Sequence, residues 1–152
     1  MENDPKEIME KAVMHVLEAM AFMFVETVTQ DELSDIEDTC LHVQMEFTGE
    51  TSGDLGLVFP PELAASMAEN VLGIEPDGSI LEDTLKDAAE EILNVVCGQF
   101  LTLMFGDKPI FELSVPHVSR LDSRACNELL KSPGVVAFMV EDSFMLGYVK
   151  LG

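Results

Sequence analysis

Between residues 40 and 47 apolar and polar side chains alternate. In "CLHVQMEF", Leu41, Val43, Met45 and Phe47 fall on one side and His42, Gln44 and Glu46 on the other, the period of a half-buried strand. "GETSGD" then closes a hairpin into "LGLVF", which Pro60 and Pro61 end as they open a short helix, "PELAASMAENVLG", terminated by Gly73. Two longer stretches keep helical spacing instead. Residues 5–29, with Pro5 in the first turn, repeat Ile8, Ala12, Leu17, Ala21, Phe24 and Val28, predicting one helix whose "MAFMFV" stretch belongs to the core. Residues 80–105 predict a second, and Ser79-Ile80-Leu81-Glu82 is a capping-box sequence at its start. The acidic stretch "TQDELSDIEDT" and "IEPDGS" read as loops.

After "FGDKP", "IFELSV" predicts a strand, followed by Pro116 and a loop, "HVSR". "LDSRACNELLKS" reads as a short helix stopped by Pro133 and Gly134, and "VVAFMV" and "SFMLGYVKL" as two strands around a tight Glu141-Asp142 turn. The sum is an α+β fold: a single domain, residues 1–152, with an antiparallel sheet of about five or six strands packed with two long helices.

Charge narrows the functional classes. The formal net charge is −21, from 29 acidic against 8 basic residues, which repels phosphate backbones and anionic membranes and favours a partner with local positive charge. Neither nucleic acid nor membrane is therefore expected as a partner. The longest apolar run, residues 12–25, contains His15 and Glu18 and falls short of the roughly 20 residues a spanning helix needs. "MENDPKEIME" lacks the pattern of a secretory leader, so a cytoplasmic location is expected. Cys40, Cys97 and Cys126 are widely spaced and form no Cys-x-x-Cys pair, which predicts buried, reduced thiols rather than disulfides or a zinc site.

The second long helix carries the candidate chemistry. "DAAEEILNVVCGQF" is apolar but interrupted by Asp87, Glu91, Asn94 and Gly98. At about 100° per residue, with Asp87 at zero, Glu91 falls near +40°, Asn94 near −20° and Gly98 near +20°. Leu81, Leu85, Ala88, Ile92, Val95, Val96, Gln99 and Leu103 fall between about 80° and 180° and define the expected buried face. The stripe thus points away from the core, as any solvated face would. Gly98 stands out, since glycine in an exposed helix interior costs about 1 kcal/mol relative to alanine. It leaves room for another molecule to come close. No hydroxyl or thiol nucleophile is paired with a base, and His15, His42 and His117 have no metal-binding spacing. An exposed carboxamide can nevertheless hold a water in line with a phosphorus without adding negative charge. Glu91, one turn away, can anchor a cationic side chain.

With these residues, the downstream Pro116 in "SVPHV" and the passage "LGLVFPPELAASMAENVLG", the chain resembles the CheC/CheX/FliY family of chemotaxis phosphatases, most closely its single-site CheX-like branch. The resemblance covers nearly the whole chain in element order. It implies an enzyme that hydrolyses the aspartyl phosphate of a CheY-type response-regulator receiver, with Glu91 docking the receiver's lysine and Asn94 positioning the attacking water. Asp87, Gly98 and Pro116 would be accessory. The phosphorylated receiver would supply the magnesium, so no cofactor is expected from this chain. The resemblance also implies a homodimer paired through sheet edges, for which "VVAFMV" and "SFMLGYVKL" are candidates unless they are inner strands. A non-catalytic dimeric adaptor of the same fold, binding response regulators or flagellar components, is the alternative.

The family's two long helices form a pseudo-repeat. An offset of about 76 residues lays Ala12, Leu17 and Phe24 on Ala88, Leu93 and Phe100, and puts Lys11, His15, Glu18 and Phe22 where Asp87, Glu91, Asn94 and Gly98 stand. That pattern reads as one live and one degenerate site. Pro116 follows Asn94 one residue sooner than the family pattern places it, so either the loop beside the site is shorter or Pro116 is not equivalent.

Overall fold

The computed structural model describes residues 4–73 and 82–152. Helix α1 spans Pro5–Met20, and its N-cap Asp4 accepts a hydrogen bond from the Lys6 N–H at 3.1 Å. It stops nine residues before the expected end at residue 29. The N–H groups of Ala21 and Met23 both return to the Leu17 carbonyl, at 3.1 and 3.2 Å, and Phe22 takes the left-handed φ of 57°. The chain then turns extended, and Val25–Val28 forms strand β1. "MAFMFV" is therefore only half core. Ala21, Met23 and Val25 are buried, whereas Phe22 and Phe24 are 75% and 64% exposed. The reason is the change of period: beyond Met20 the side chains alternate with a period of two, so helical spacing no longer assigns their faces.

After a single 3-10 turn at Gln30–Glu32 come β2 (Cys40–Thr48), β3 (Gly53–Phe59) and α2 (Pro61–Leu72). Gly73 ends α2 with a φ of 67°, as the stop signal requires. Next are α3 (Glu82–Phe105), β4 (Glu112–Leu113), β5 (His117–Leu121), α4 (Ser123–Leu130), β6 (Val135–Val140) and β7 (Ser143–Leu151). The expected strand "IFELSV" shrinks to two residues, and the expected loop "HVSR" is a strand. The hydrophobic signal was misleading there. Ile110 and Val115 are 87% and 85% exposed, while β5 packs Val118 against the main cluster and Leu121 against the cluster on the other face. Ser79 and Leu81 of the capping-box sequence lie outside the described residues.

Among the described residues the sheet has seven strands in the antiparallel order β1-β6-β7-β3-β2, with β4 and β5 sharing the outer edge of β2. β6 and β7 are thus interior strands, flanked on both sides. The edges open to a second copy are β1 and the β4/β5 side, not "VVAFMV" or "SFMLGYVKL".

Helices α1, α2 and α3 cover one face of the sheet. There Leu41, Val43, Met45 and Phe47 of β2 meet Met9, Leu17, Met67, Ile92 and Phe100, all in one buried cluster. The other face has a smaller cluster, in which Cys126 and Leu130 of α4 cover Val58, Val135 and Leu146. All three cysteines are free and buried. By length and hydropathy α3 is the one described helix that could cross a membrane. Eight of its residues, among them Ile92, Leu93, Val96 and Phe100, are buried in the chain's own core.

On that second face the His42 Nε2 and the Tyr148 hydroxyl are hydrogen-bonded at 2.8 Å. Burial raises the Tyr148 hydroxyl to about 12, so it stays protonated at neutral pH. Burial, with His117 and Lys150 nearby, lowers the pKa of His42. The folded chain therefore resists a proton that the unfolded chain accepts. The stabilising contribution of neutral His42 is complete above the unfolded value of about 6.5 and is lost as pH falls from there towards the folded value. Urea midpoints should fall between about pH 8 and about pH 5.5, and His42→Gln should reduce that fall. An unchanged pH dependence in the variant would show that other groups cause it.

Candidate functional site

Two anchors set the position of α3 over β2. At its start, Glu82 accepts a hydrogen bond from Arg120 of β5, which holds the Glu82 carboxyl below the usual carboxylate range. Nearer its end, Phe100 meets Phe47 of β2 with ring centroids 6.4 Å apart. Phe111 packs edge-on against Phe47 at 5.7 Å and also meets Phe105 at 5.4 Å, closing the end of the helix onto the sheet. Arg120 pairs across from Leu41, so the helix runs along β2 from its first residues towards Phe47.

Its buried residues are Ala88, Ala89, Ile92, Leu93, Val96, Cys97, Phe100 and Leu101. This face is wider than expected and turned by roughly 80° from the one drawn on the helical wheel, since α1 and α2 flank α3 as well as the sheet beneath. Val95 and Leu103, placed in the core by periodicity, are each 38% exposed. Leu85 and Gln99 are half-buried. The correction moves the centre of the core face to the side opposite Asp87, and the stripe is more fully outward than the wheel alone placed it.

Asp87, Glu91 and Asn94 are exposed and Gly98 is half-buried. Among the described residues the side chains of Asp87, Glu91 and Asn94 make no hydrogen bond or ion pair. They present two carboxylates and a carboxamide on consecutive turns of a helix held from below. The α3 thiol, Cys97, is fully buried, and burial pushes it up to about 11, so it is no nucleophile for this surface. Pro116 is buried, one residue before the β5 end that pairs with Gln44. Along the sheet it therefore lies between the Arg120 and Phe47 levels, abreast of the middle turns of α3.

Gly98 is not required by packing. A Cβ built on it meets nothing within 4 Å, and the residue is in the helix interior. Gly98→Ala should therefore raise stability by about 1 kcal/mol, read from the urea midpoint. If the open space is kept for an approaching molecule, the same variant will weaken docking while it stabilises the fold. A destabilised variant would show that the glycine serves the fold.

On α1, Lys11, His15 and Glu18 are also exposed. Ala12 and Leu17 are buried, like Ala88 and Leu93. The likeness between the helices ends at Met20: Phe22 lies beyond the helix, and Phe24 is exposed where Phe100 is buried. The Arg120–Glu82 pair and the Phe47–Phe100–Phe111 group were not singled out in the sequence. The aromatic density of residues 100–111 was the available signal for the second, and nothing local signalled the first.

The family model described as chemotaxis phosphatase CheX matches residues 41–139. No curated protein matches the sequence at a significant level. Among solved structures, the chemotaxis protein CheX from Desulfovibrio desulfuricans is 16% identical, with a TM-score of 0.69, covering 97% of this chain and 99% of its own. CheX from Vibrio vulnificus is 20% identical, with a TM-score of 0.64 over 94% of this chain and 97% of its own. The CheX-CheY-BeF3-Mg complex from Borrelia burgdorferi includes a chain 16% identical, with a TM-score of 0.64 and 97% coverage of both. These structures share the α+β fold, with its antiparallel sheet and flanking helices.

Proposed function

This chain belongs to the chemotaxis phosphatase CheX family, and on that premise we propose that it hydrolyses the aspartyl phosphate of a CheY-type response-regulator receiver domain. The observation that carries the reading is the outward stripe on α3: Glu91 and Asn94 one turn apart, unengaged by the described residues, beside open space at Gly98. The complex of the Borrelia relative contains CheY, a beryllium fluoride and magnesium. That composition supports a phosphorylated receiver as the partner here.

In this reading Glu91 accepts the receiver's active-site lysine and so sets the register of docking. The Asn94 carboxamide holds a water opposite the acyl oxygen. The water oxygen forms a bond to phosphorus, the phosphorus to acyl-oxygen bond breaks, and the aspartate carboxylate and inorganic phosphate leave as products. A neutral amide suits this place because a second carboxylate would repel the incoming phosphoryl oxygens. Asp87 extends the acidic contact, and Pro116 supports the helix from the β5 side. Magnesium comes with the receiver, where it neutralises charge on the phosphoryl group. The proposal includes a cytoplasmic setting and a homodimer, whose pairing edge is β1 or the β4/β5 side.

The test mixes the chain with phosphorylated receiver domains from the same genome and follows phosphate loss. Accelerated loss that depends on Asn94 supports the reading. A stable complex in which the phosphate persists would make the protein an adaptor instead, and equal decay with and without the chain together with no binding across the set would overturn both.

A further inference from the structure

A second surface lies away from α3, at one end of the sheet. Cys40 opens β2, Phe59 closes β3, Val140 closes β6 and Ser143 opens β7, and antiparallel pairing brings all four to the same end. Between that end and the acidic stretch after the 3-10 turn is a cavity of about 620 Å³, within the range of ligand-binding clefts. Leu33, Ile36, Met139 and Phe144 supply its apolar lining. Glu32, Asp35, Glu37, Asp38, Glu62 and Asp142 surround that lining, and no lysine, arginine or histidine is among the lining residues. All six acidic side chains are exposed, and neither ion pair among the described residues includes one of them.

An exposed aromatic ring stands at the same end. The Phe24 N–H donates to Glu141 Oε1 at 3.2 Å, and the Phe24 carbonyl accepts from the Glu141 N–H at 2.9 Å. The backbone is thus pinned to the β6–β7 turn while the ring is 64% exposed. Holding an apolar ring in water, next to the turn that carries Glu141 and Asp142, does nothing for the fold by itself. Both features fit an occupant with apolar and cationic parts side by side.

We propose that this groove docks a basic segment of a partner protein, with an apolar side chain on the Leu33–Phe144 lining and a lysine or arginine against the acidic rim. Charge selects this occupant. A second copy of a chain with net charge −21, an anionic membrane and a nucleic acid all bring the wrong sign to a rim of six acids. An arginine in this setting can also lie over the Phe24 ring. The groove gives a specific place to the positive partner that the overall charge calls for, and it depends on nothing in the α3 site.

The full chain is titrated at about 0.15 M salt with a labelled peptide in which arginine and leucine alternate, and with a second peptide carrying serine for leucine. Two triple variants are compared: Glu32→Gln/Glu37→Gln/Asp142→Asn on the rim, and Glu50→Gln/Glu112→Gln/Glu128→Gln at exposed sites elsewhere. Both change the net charge equally. The proposal expects the rim variant to bind the arginine-leucine peptide at least about tenfold more weakly than the native chain, and the remote variant to bind like it. The serine peptide should bind about tenfold more weakly to the native chain. Equal weakening by both variants, equal binding of both peptides, or no binding would overturn the proposal. So would concentration-dependent self-association of the native chain that the rim variant abolishes, because the groove would then belong to a second copy.

Discussion

Asn94→Ala is expected to fold like the native chain, to bind a phosphorylated receiver nearly as well, and to lose dephosphorylation by roughly a hundredfold or more. The fold should survive because Asn94 is exposed and makes no hydrogen bond among the described residues, and alanine is the better helix former. Docking should survive because, in the proposed function, the charge that would recognise the receiver's lysine is on Glu91. The rate should fall because a loosely held water must be captured and oriented during each event, and positioning of a nucleophile is commonly worth several kcal/mol. Phosphate release from a phosphorylated receiver, with native and variant chains side by side, measures this. Glu91→Ala is the complementary case. It should lower the apparent affinity, so that raising the chain's concentration recovers rate, whereas no concentration recovers Asn94→Ala. Native-like turnover by Asn94→Ala would remove the carboxamide from the mechanism.

Legibility followed the length over which a pattern persists. β2 was readable because four inward apolar residues alternate with polar ones, and all four are buried as expected. α2 was readable from its proline start and its glycine stop. The outward stripe was readable because it needs only the 3.6-residue period of one helix. What the sequence obscured depended on partners distant in the chain. β1 is only four residues long and exists because it pairs with β6, more than a hundred residues away. β5 carries only two packed apolar residues, Val118 and Leu121, on opposite faces and without a sustained alternation, so its strand character comes from β2. The buried face of α3 was mis-set because three neighbours, α1, α2 and the sheet, enclose more of its circumference than a single packing surface would. The stripe chemistry stood apart from these errors, since it required only that Glu91 and Asn94 share a face.

The corrected face of α3 makes the second large prediction. Phe100→Ala should cost about 3–5 kcal/mol, against a total stability of roughly 5–15 kcal/mol for a domain. Phe100 is fully buried, its ring lies tilted against Phe47, and Phe111 closes the same group, so a truncated side chain leaves a space that rigid aromatic neighbours cannot fill. For a chain of this size the melting temperature should drop by about 6–20 °C. Val95→Ala should cost less than about 1 kcal/mol, because Val95 is 38% exposed and alanine also improves helix propensity. The sequence periodicity predicted the reverse for Val95, counting it among the core residues. The pair of melting curves therefore separates a face set by one packing surface from a face set by three. Equal losses would return Val95 to the core and turn the buried face back towards the one drawn from periodicity, bringing its edge closer to Glu91 while Asn94 stays outward.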